Sequence, residues 1–324
     1  MKRSKFVPIM ETIPSIDDIR QAARRIQPYV HHTPIFTSQT LNKMTGVTLY
    51  FKCENFQKVG AFKFRGACNT VFSLSEKEAL PGVATHSSGN HAQALALAAR
   101  LRGIPAHIVM PKTAPKVKVA AVEEYGGIIT FCEPTLEARE TTLEQVVQDT
   151  GATVVHPYND YRVIAGQATS AMEMLEEVPS LEVVMTPVGG GGLLSGTALS
   201  VKYLSPATRV IAAEPAGADD AYRSFKAGYI IPSVNPHTIA DGLLTSLGEK
   251  TFHIIRQYVD DMVTVTEEAI IRAMRFIWER MKIVVEPSAA VPLGALLENK
   301  IDLSGKRVGI ILSGGNVDLA QLPW

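Results

Sequence analysis

Four consecutive glycines, Gly189, Gly190, Gly191 and Gly192, follow the apolar run 183–188 and lead through Leu193 into a stretch rich in Leu, Ser, Thr and Ala. One glycine is enough for a tight turn between a strand and a helix. Four in a row strip every Cβ from the turn, at an entropic cost that a turn alone does not require. Bare amides of this kind converge on one anion, and the positive end of the following helix adds to the attraction, so the natural ligand is a phosphate. The run is neither a Walker loop nor a dinucleotide fingerprint. No Gly-Lys-Ser/Thr follows it, and its glycines are contiguous where GxGxxG spaces them.

Strand, glycine turn and helix form the repeating unit of a parallel α/β fold, and the chain repeats it. Ser15 with Asp17 and Asp18 announces a first helix running to about Ile26, before Pro28. Residues 82–85 read as a strand, 87–90 as a turn, and the following Ala/Leu-rich stretch as a helix closed by Gly103 and Pro105. A strand at 107–110, a helix at 117–125 stopped by Gly126 and Gly127, and a strand at 128–131 come next. Further strands are expected at 183–188, 210–213 and 308–312. The compact units suggest a smaller domain over 76–159, with 1–75 and 160–324 forming a larger, phosphate-holding one. A chain of 324 residues with 46% hydrophobic content can bury two such cores.

Charge narrows the function classes. Lys+Arg and Asp+Glu are both 32, so no net positive field exists to draw in nucleic acid or an anionic bilayer. No stretch of about 18 uncharged apolar residues occurs, and residues 1–14 hold no run of signal-peptide length. A cytoplasmic protein is the expectation. Cys53, Cys68 and Cys132 are too few and too scattered for a disulfide framework or a zinc site and read as packing residues.

Three further clusters bear chemistry. Lys63 lies in Val59-Gly60-Ala61-Phe62-Lys63-Phe64-Arg65-Gly66. Taken alone it reads as a lysine with its head in water. If that segment is buried, desolvation lowers the amine pKa and makes a nucleophile for an aldehyde. Ser87-Ser88-Gly89-Asn90-His91 sits at a strand-to-helix turn, where hydroxyls, an amide and main-chain donors can hold a carboxylate or a ring hydroxyl, although alone it is an ordinary N-cap. Ser313, in Leu312-Ser313-Gly314-Gly315-Asn316, places a hydroxyl at the end of the last apolar strand, where α/β proteins gather ligand groups.

Ala61-Phe62-Lys63-Phe64-Arg65-Gly66-Ala67, residues 87–93, 189–193 and 313–318 occur together in one order, and in this the chain resembles the serine/threonine dehydratase and serine racemase family from about Ile16 to Leu319. Those are two-domain, fold-type II pyridoxal-phosphate (PLP) enzymes related to the tryptophan synthase β chain, with open, twisted, mostly parallel sheets. The resemblance implies that Lys63 carries the cofactor, Phe62 lies against its ring, Asn90 meets the ring hydroxyl, Gly189, Gly190, Gly191, Gly192 and Leu193 cradle the phosphate, and Ser313 meets the pyridine nitrogen. A serine partner does not hold that nitrogen protonated, which favours elimination over transamination. The implied activity is loss of water and then ammonia from a small β-hydroxy amino acid such as L-serine or L-threonine, giving a 2-oxo acid. Lys63 takes the Cα proton, and Ser88 matches the acid/base that racemases place on the opposite face, so serine racemisation stays open. Ser87, Ser88, Asn90 and His91 are expected to bind the substrate, and Arg139 to reach a distal polar group. Glu214, the Ala218 carbonyl and Asp220 match the family's divalent cation loop, whose hard oxygens suit Mg²⁺, Ca²⁺ or Mn²⁺.

Two departures refine the resemblance. Lys58, Gln93, Lys118 and Tyr125 match the ATP site of animal serine racemases whereas Gln39 and Val59 do not, which argues against ATP activation. Tyr158 stands where those racemases have asparagine and many microbial dehydratases have tyrosine. Residues 219–225 and 306–324 resemble bacterial 3-hydroxyaspartate dehydratases, so release of oxaloacetate and ammonia from 3-hydroxyaspartate is the alternative activity. A homodimer is implied by the same resemblance.

Overall fold

The computed structural model describes residues 12–324; most of the 1–14 segment considered above therefore lies outside the described residues. Ser15 does at the first helix what its position predicts. Its hydroxyl accepts from the Asp18 amide while the Asp18 carboxylate accepts from the Ser15 amide, and the helix spans Ile16–Ile26. Ile19, Ala22 and Ile26 form its buried stripe.

Among the described residues, ten strands divide between two sheets. The first contains β1 (Ile35–Phe36), β2 (Thr48–Cys53), β7 (Val183–Pro187), β8 (Arg209–Pro215), β9 (Asp261–Val265) and β10 (Arg307–Leu312) in the order β1-β2-β10-β7-β8-β9. Only the β1–β2 pair is antiparallel. The second contains β3 (Val83–His86), β4 (Ala106–Pro111), β5 (Ile128–Cys132) and β6 (Thr153–Val154), all parallel, in the order β5-β4-β3-β6. Parallel pairing needs crossovers, which the helices supply. Helix Asn90–Arg102 closes on Gly103 at φ 74°, and helix Lys116–Glu124 ends just before Gly126 at φ 86°.

Helix Lys63–Ser73 packs between the smaller sheet's core and helix Tyr161–Glu177. Its Phe64, Ala67, Cys68 and Val71 share one core with Val83, Ile108 and Met110 of the smaller sheet. Its other side presses on helix Tyr161–Glu177: a Cβ on Gly166 would stand 2.6 Å from the Arg65 carbonyl oxygen. Charge holds it as well as packing. Fully buried Arg65 donates to Glu54 at 2.7 and 2.9 Å and to Glu173 at 2.6 and 2.8 Å, while buried Lys52 reaches Glu173 at 2.8 Å. Cys53, Cys68 and Cys132 are free and buried. Among the described residues, no helix is long and apolar enough to cross a membrane.

Candidate active site

The singled-out residues gather past the carboxyl ends of parallel strands: Ser87 and Ser88 after β3, Gly189 to Gly192 after β7 and Ser313 after β10. Lys63 opens its helix after a sharp turn at Val59, a β-branched residue with φ 56°. Segment 313–316 clasps that turn. Asn316 Nδ2 donates to the Val59 carbonyl at 2.7 Å, the Phe62 amide donates to the Ser313 carbonyl at 3.0 Å, and the Gly315 amide donates to the Gly60 carbonyl at 2.9 Å. Lys63 Nζ donates to the Pro157 carbonyl at 2.8 Å and lies 5.2 Å from the centroid of the Phe62 ring.

Desolvation pushes the Lys63 pKa down to about 8, against the opposing pull of Glu286. Roughly a tenth of the amine is then neutral at pH 7, against about one part in a few thousand for an ordinary lysine. The pocket thus supplies the nucleophile that the sequence made conditional on burial.

The glycine turn opens helix Gly192–Leu204, with Gly191 at φ 86°. A Cβ on Gly190 would stand 2.4 Å from the Tyr158 ring, one on Gly192 2.9 Å from Tyr158 Cβ, and one on Gly189 2.8 Å from Leu243 Cα. The glycines therefore do two things. They bring a bare helix N-terminus to the cleft, and they let Tyr158 and the chain around Leu243 pack directly on the turn.

Asn90, at the start of its helix, is fixed at both ends of its amide. Nδ2 lies 3.1 and 3.2 Å from the Glu286 carboxylate, and Oδ1 accepts from Asn316 Nδ2 at 2.9 Å. Burial raises the Glu286 pKa to about 7. Ser87 Oγ accepts from the Gly89 amide at 3.4 Å, and Ser88 is partly exposed beside it. The His91 ring turns inward, its Nε2 3.1 Å from the Val155 carbonyl, and burial drives its pKa down to about 3. What His91 can offer a carboxylate is its main-chain amide. Arg139 lies in the first turn of helix Leu136–Thr150, which packs on β3, and its Nε is buried with no hydrogen-bond partner among the described residues.

Glu214 and Asp220 are brought together at the end of β8, whose Ala213 carbonyl accepts from the Val188 amide beside the glycine turn. Glu214 accepts the Ala221 and Tyr222 amides at 2.9 and 2.7 Å, and burial raises its pKa to about 9. Asp220 keeps both carboxylate oxygens buried and unpartnered, with its pKa raised to about 6 by burial. Among the described residues, no group of three or more His, Cys, Asp or Glu side chains is assembled for a metal ion.

Glu286 was not singled out from sequence, although a lone carboxylate before Pro287 in the otherwise apolar 283–296 stretch was a usable signal. Asn316 lay inside a recognised motif without a role, and Pro157 contributes only its carbonyl, which no sequence pattern announces.

A buried amine, a bare helix N-terminus, the Ser313 residue against the lysine turn and a fixed side-chain amide meet the needs of an aldehyde, a phosphate, a ring nitrogen and a ring hydroxyl on one molecule. The model of the family described as pyridoxal-phosphate dependent enzyme matches residues 26–314. The chain belongs to that family. It is 55% identical over 312 residues to the beta-hydroxyaspartate dehydratase of Paracoccus denitrificans (strain Pd 1222), covering 96% of this chain and 99% of that one. A serine racemase of Dictyostelium discoideum is 50% identical over 95% of this chain and 96% of its own. The solved structure of maize serine racemase superposes with a TM-score of 0.93 at 48% identity, covering 95% of each chain. The α/β fold and the PLP-enzyme assignment thus follow from the site and the family together.

Proposed function

We propose that the chain removes the β-hydroxyl group and then ammonia from a small β-hydroxy amino acid, releasing a 2-oxo acid. The carrying observation is the Lys63 amine, lowered to about 8 in the cleft that also holds the glycine turn. Bound there, PLP supplies an electron sink that makes the substrate Cα proton removable. Lys63 would hold it, with Gly189, Gly190, Gly191, Gly192 and Leu193 on its phosphate, Ser313 at its ring nitrogen, Asn90 at its ring hydroxyl and Phe62 against its ring.

The released Lys63 amine takes the Cα proton, and Ser88 serves the opposite face, which gives the site a serine racemase activity beside elimination. Ser87, Ser88, Asn90 and the His91 amide bind the α-carboxylate. Glu214, Asp220 and the Ala218 carbonyl would hold Mg²⁺ or a similar hard cation; the two orphaned oxygens of Asp220 fit that donor set. A cytoplasmic homodimer, with 76–159 as the smaller domain of each subunit, completes this reading.

One observation favours a second carboxylate on the substrate. Arg139 holds a buried Nε without a partner, a group that a distal carboxylate would satisfy, which makes 3-hydroxyaspartate the favoured alternative to serine and threonine. The test is product formation by the PLP-loaded protein with Mg²⁺, following 2-oxo acid, ammonia and enantiomer composition. Rapid pyruvate or 2-oxobutyrate supports serine or threonine, and oxaloacetate from one hydroxyaspartate isomer alone supports the alternative. No 2-oxo acid from any of them overturns the elimination reading. Arg139→Ala should weaken hydroxyaspartate use far more than serine use.

A further inference from the structure

Tyr158 lies on the glycine turn, next in the chain to the residue that meets Lys63. The carbonyl immediately before it, that of Pro157, accepts from Lys63 Nζ at 2.8 Å. Its ring lies on the glycine turn so closely that a Cβ on Gly190 would stand 2.4 Å from two of its ring carbons and 2.5 Å from a third. The ring thus covers the phosphate turn, one residue along the chain from the carbonyl that holds the Lys63 amine.

Its position is reinforced from behind. His156 Nδ1 faces the amides of Tyr158 and Asn159 at 3.3 and 2.9 Å, and the two rings meet edge-on with centroids 4.6 Å apart. The hydroxyl lies beside the Thr245 side chain, and burial raises the phenol pKa, so the group keeps its proton at neutral pH.

We propose that Tyr158 is the acid that protonates the departing β-hydroxyl group. The inference rests on the elimination reading and assigns the one proton transfer that Lys63 and Ser88 leave open. The Lys63 amine takes the Cα proton, and the electron pair of the broken C–H bond forms the Cα–Cβ double bond. The Cβ–O bond breaks with its pair on oxygen, and that oxygen takes the phenolic proton and leaves as water. The tyrosinate recovers a proton from the Lys63 ammonium through solvent, so no oxidant, reductant or further reactant enters.

Tyr158→Phe keeps the ring on Gly190 and removes the hydroxyl that carries the proton. The experiment compares two substrates of the PLP-loaded protein: the fastest β-hydroxy amino acid, and β-chloroalanine, whose chloride departs without a proton. PLP affinity is read in parallel by titrating the visible absorption of the bound cofactor. The expected result is a loss of about a hundredfold or more on the hydroxy substrate, less than about fivefold on β-chloroalanine, and unchanged PLP affinity. Thr245→Val should show a smaller loss with the same selectivity. Equal losses on both substrates, or no loss on the hydroxy substrate, overturn the assignment to Tyr158. Wild-type protein that eliminates from neither substrate overturns the elimination reading itself.

Discussion

Glu286 meets the Asn90 side-chain amide at 3.1 and 3.2 Å, joining the helix that follows β3 to the segment that leads into helix Pro287–Leu297. The same buried carboxylate opposes the desolvation of Lys63. Glu286→Gln preserves size and an acceptor for Asn90 but removes the charge, so the Lys63 pKa should fall further below about 8. The rate at which apoprotein takes up PLP tracks the neutral amine, and its pH profile should move to lower pH in the variant. An unmoved profile would show that Glu286 does not set the charge on Lys63.

Much of this fold was legible because its signals are local. The Ser15 cap, the glycine stops at Gly103 and Gly126 and the apolar runs of β3, β4, β5, β7, β8 and β10 all lie within a few residues of what they specify. Strand β2 was not legible, since Thr48-Leu49-Tyr50-Phe51-Lys52-Cys53 places a lysine next to its last residue. That lysine is buried because the Thr33 carbonyl at 2.7 Å and Glu173, more than a hundred residues later and 2.8 Å away, satisfy its ammonium. The site divides in the same way. The glycine turn announced its ligand class, whereas the clasp on Val59 by Asn316 and the contact of Pro157 with Lys63 depend on tertiary pairing. Lys63 itself became persuasive only beside the glycine turn.

Gly190→Ala tests how tightly the phosphate turn is packed. The new methyl would lie 2.4 Å from the Tyr158 ring, so either the ring or the turn must move. Overpacking of this kind costs about 1–3 kcal/mol. Displacing the turn's amides should also weaken PLP binding at least about tenfold. Tyr158→Ala in the same chain removes the obstruction and should restore most of the lost affinity, as read by cofactor titration. Affinity equal to wild type in the single variant would show that the turn tolerates a side chain.

Arg65 is the hinge pin of a buried charge network and sits two residues from Lys63. Arg65→Met removes a cation that satisfies Glu54 and Glu173 together and leaves Glu54 fully buried without it. Breaking a buried pair from one side costs about 3–5 kcal/mol, because the surviving charge remains desolvated. Urea unfolding should show a loss in that range. A loss below about 1 kcal/mol would mean that water reaches Glu54 and that the network does little to hold the lysine helix.

Acid sensitivity follows from the histidines, provided the carboxyl groups are separated from them. Burial holds His91 near a pKa of about 3 and His156 near about 4, both below the ordinary value of about 6.5. Below pH 6.5 the unfolded chain binds protons that the folded chain refuses, so each histidine lowers stability as pH falls, and the loss levels off only below its folded pKa. At pH 5 that amounts to about 2 kcal/mol for each. Glu286, Asp220 and Glu214 act with the opposite sign, since their raised pKa values make the folded chain the better proton acceptor as pH drops. A raw stability profile mixes the two. The informative quantity is the difference between wild type and His91→Gln/His156→Asn, in which Gln retains a donor for the Val155 carbonyl and Asn an acceptor for the Tyr158 and Asn159 amides. Between pH 7.5 and 5, urea midpoints should show wild type losing up to about 4 kcal/mol relative to the double variant. A difference that stays flat with pH would show that both rings take up protons in the folded protein as readily as in the unfolded one.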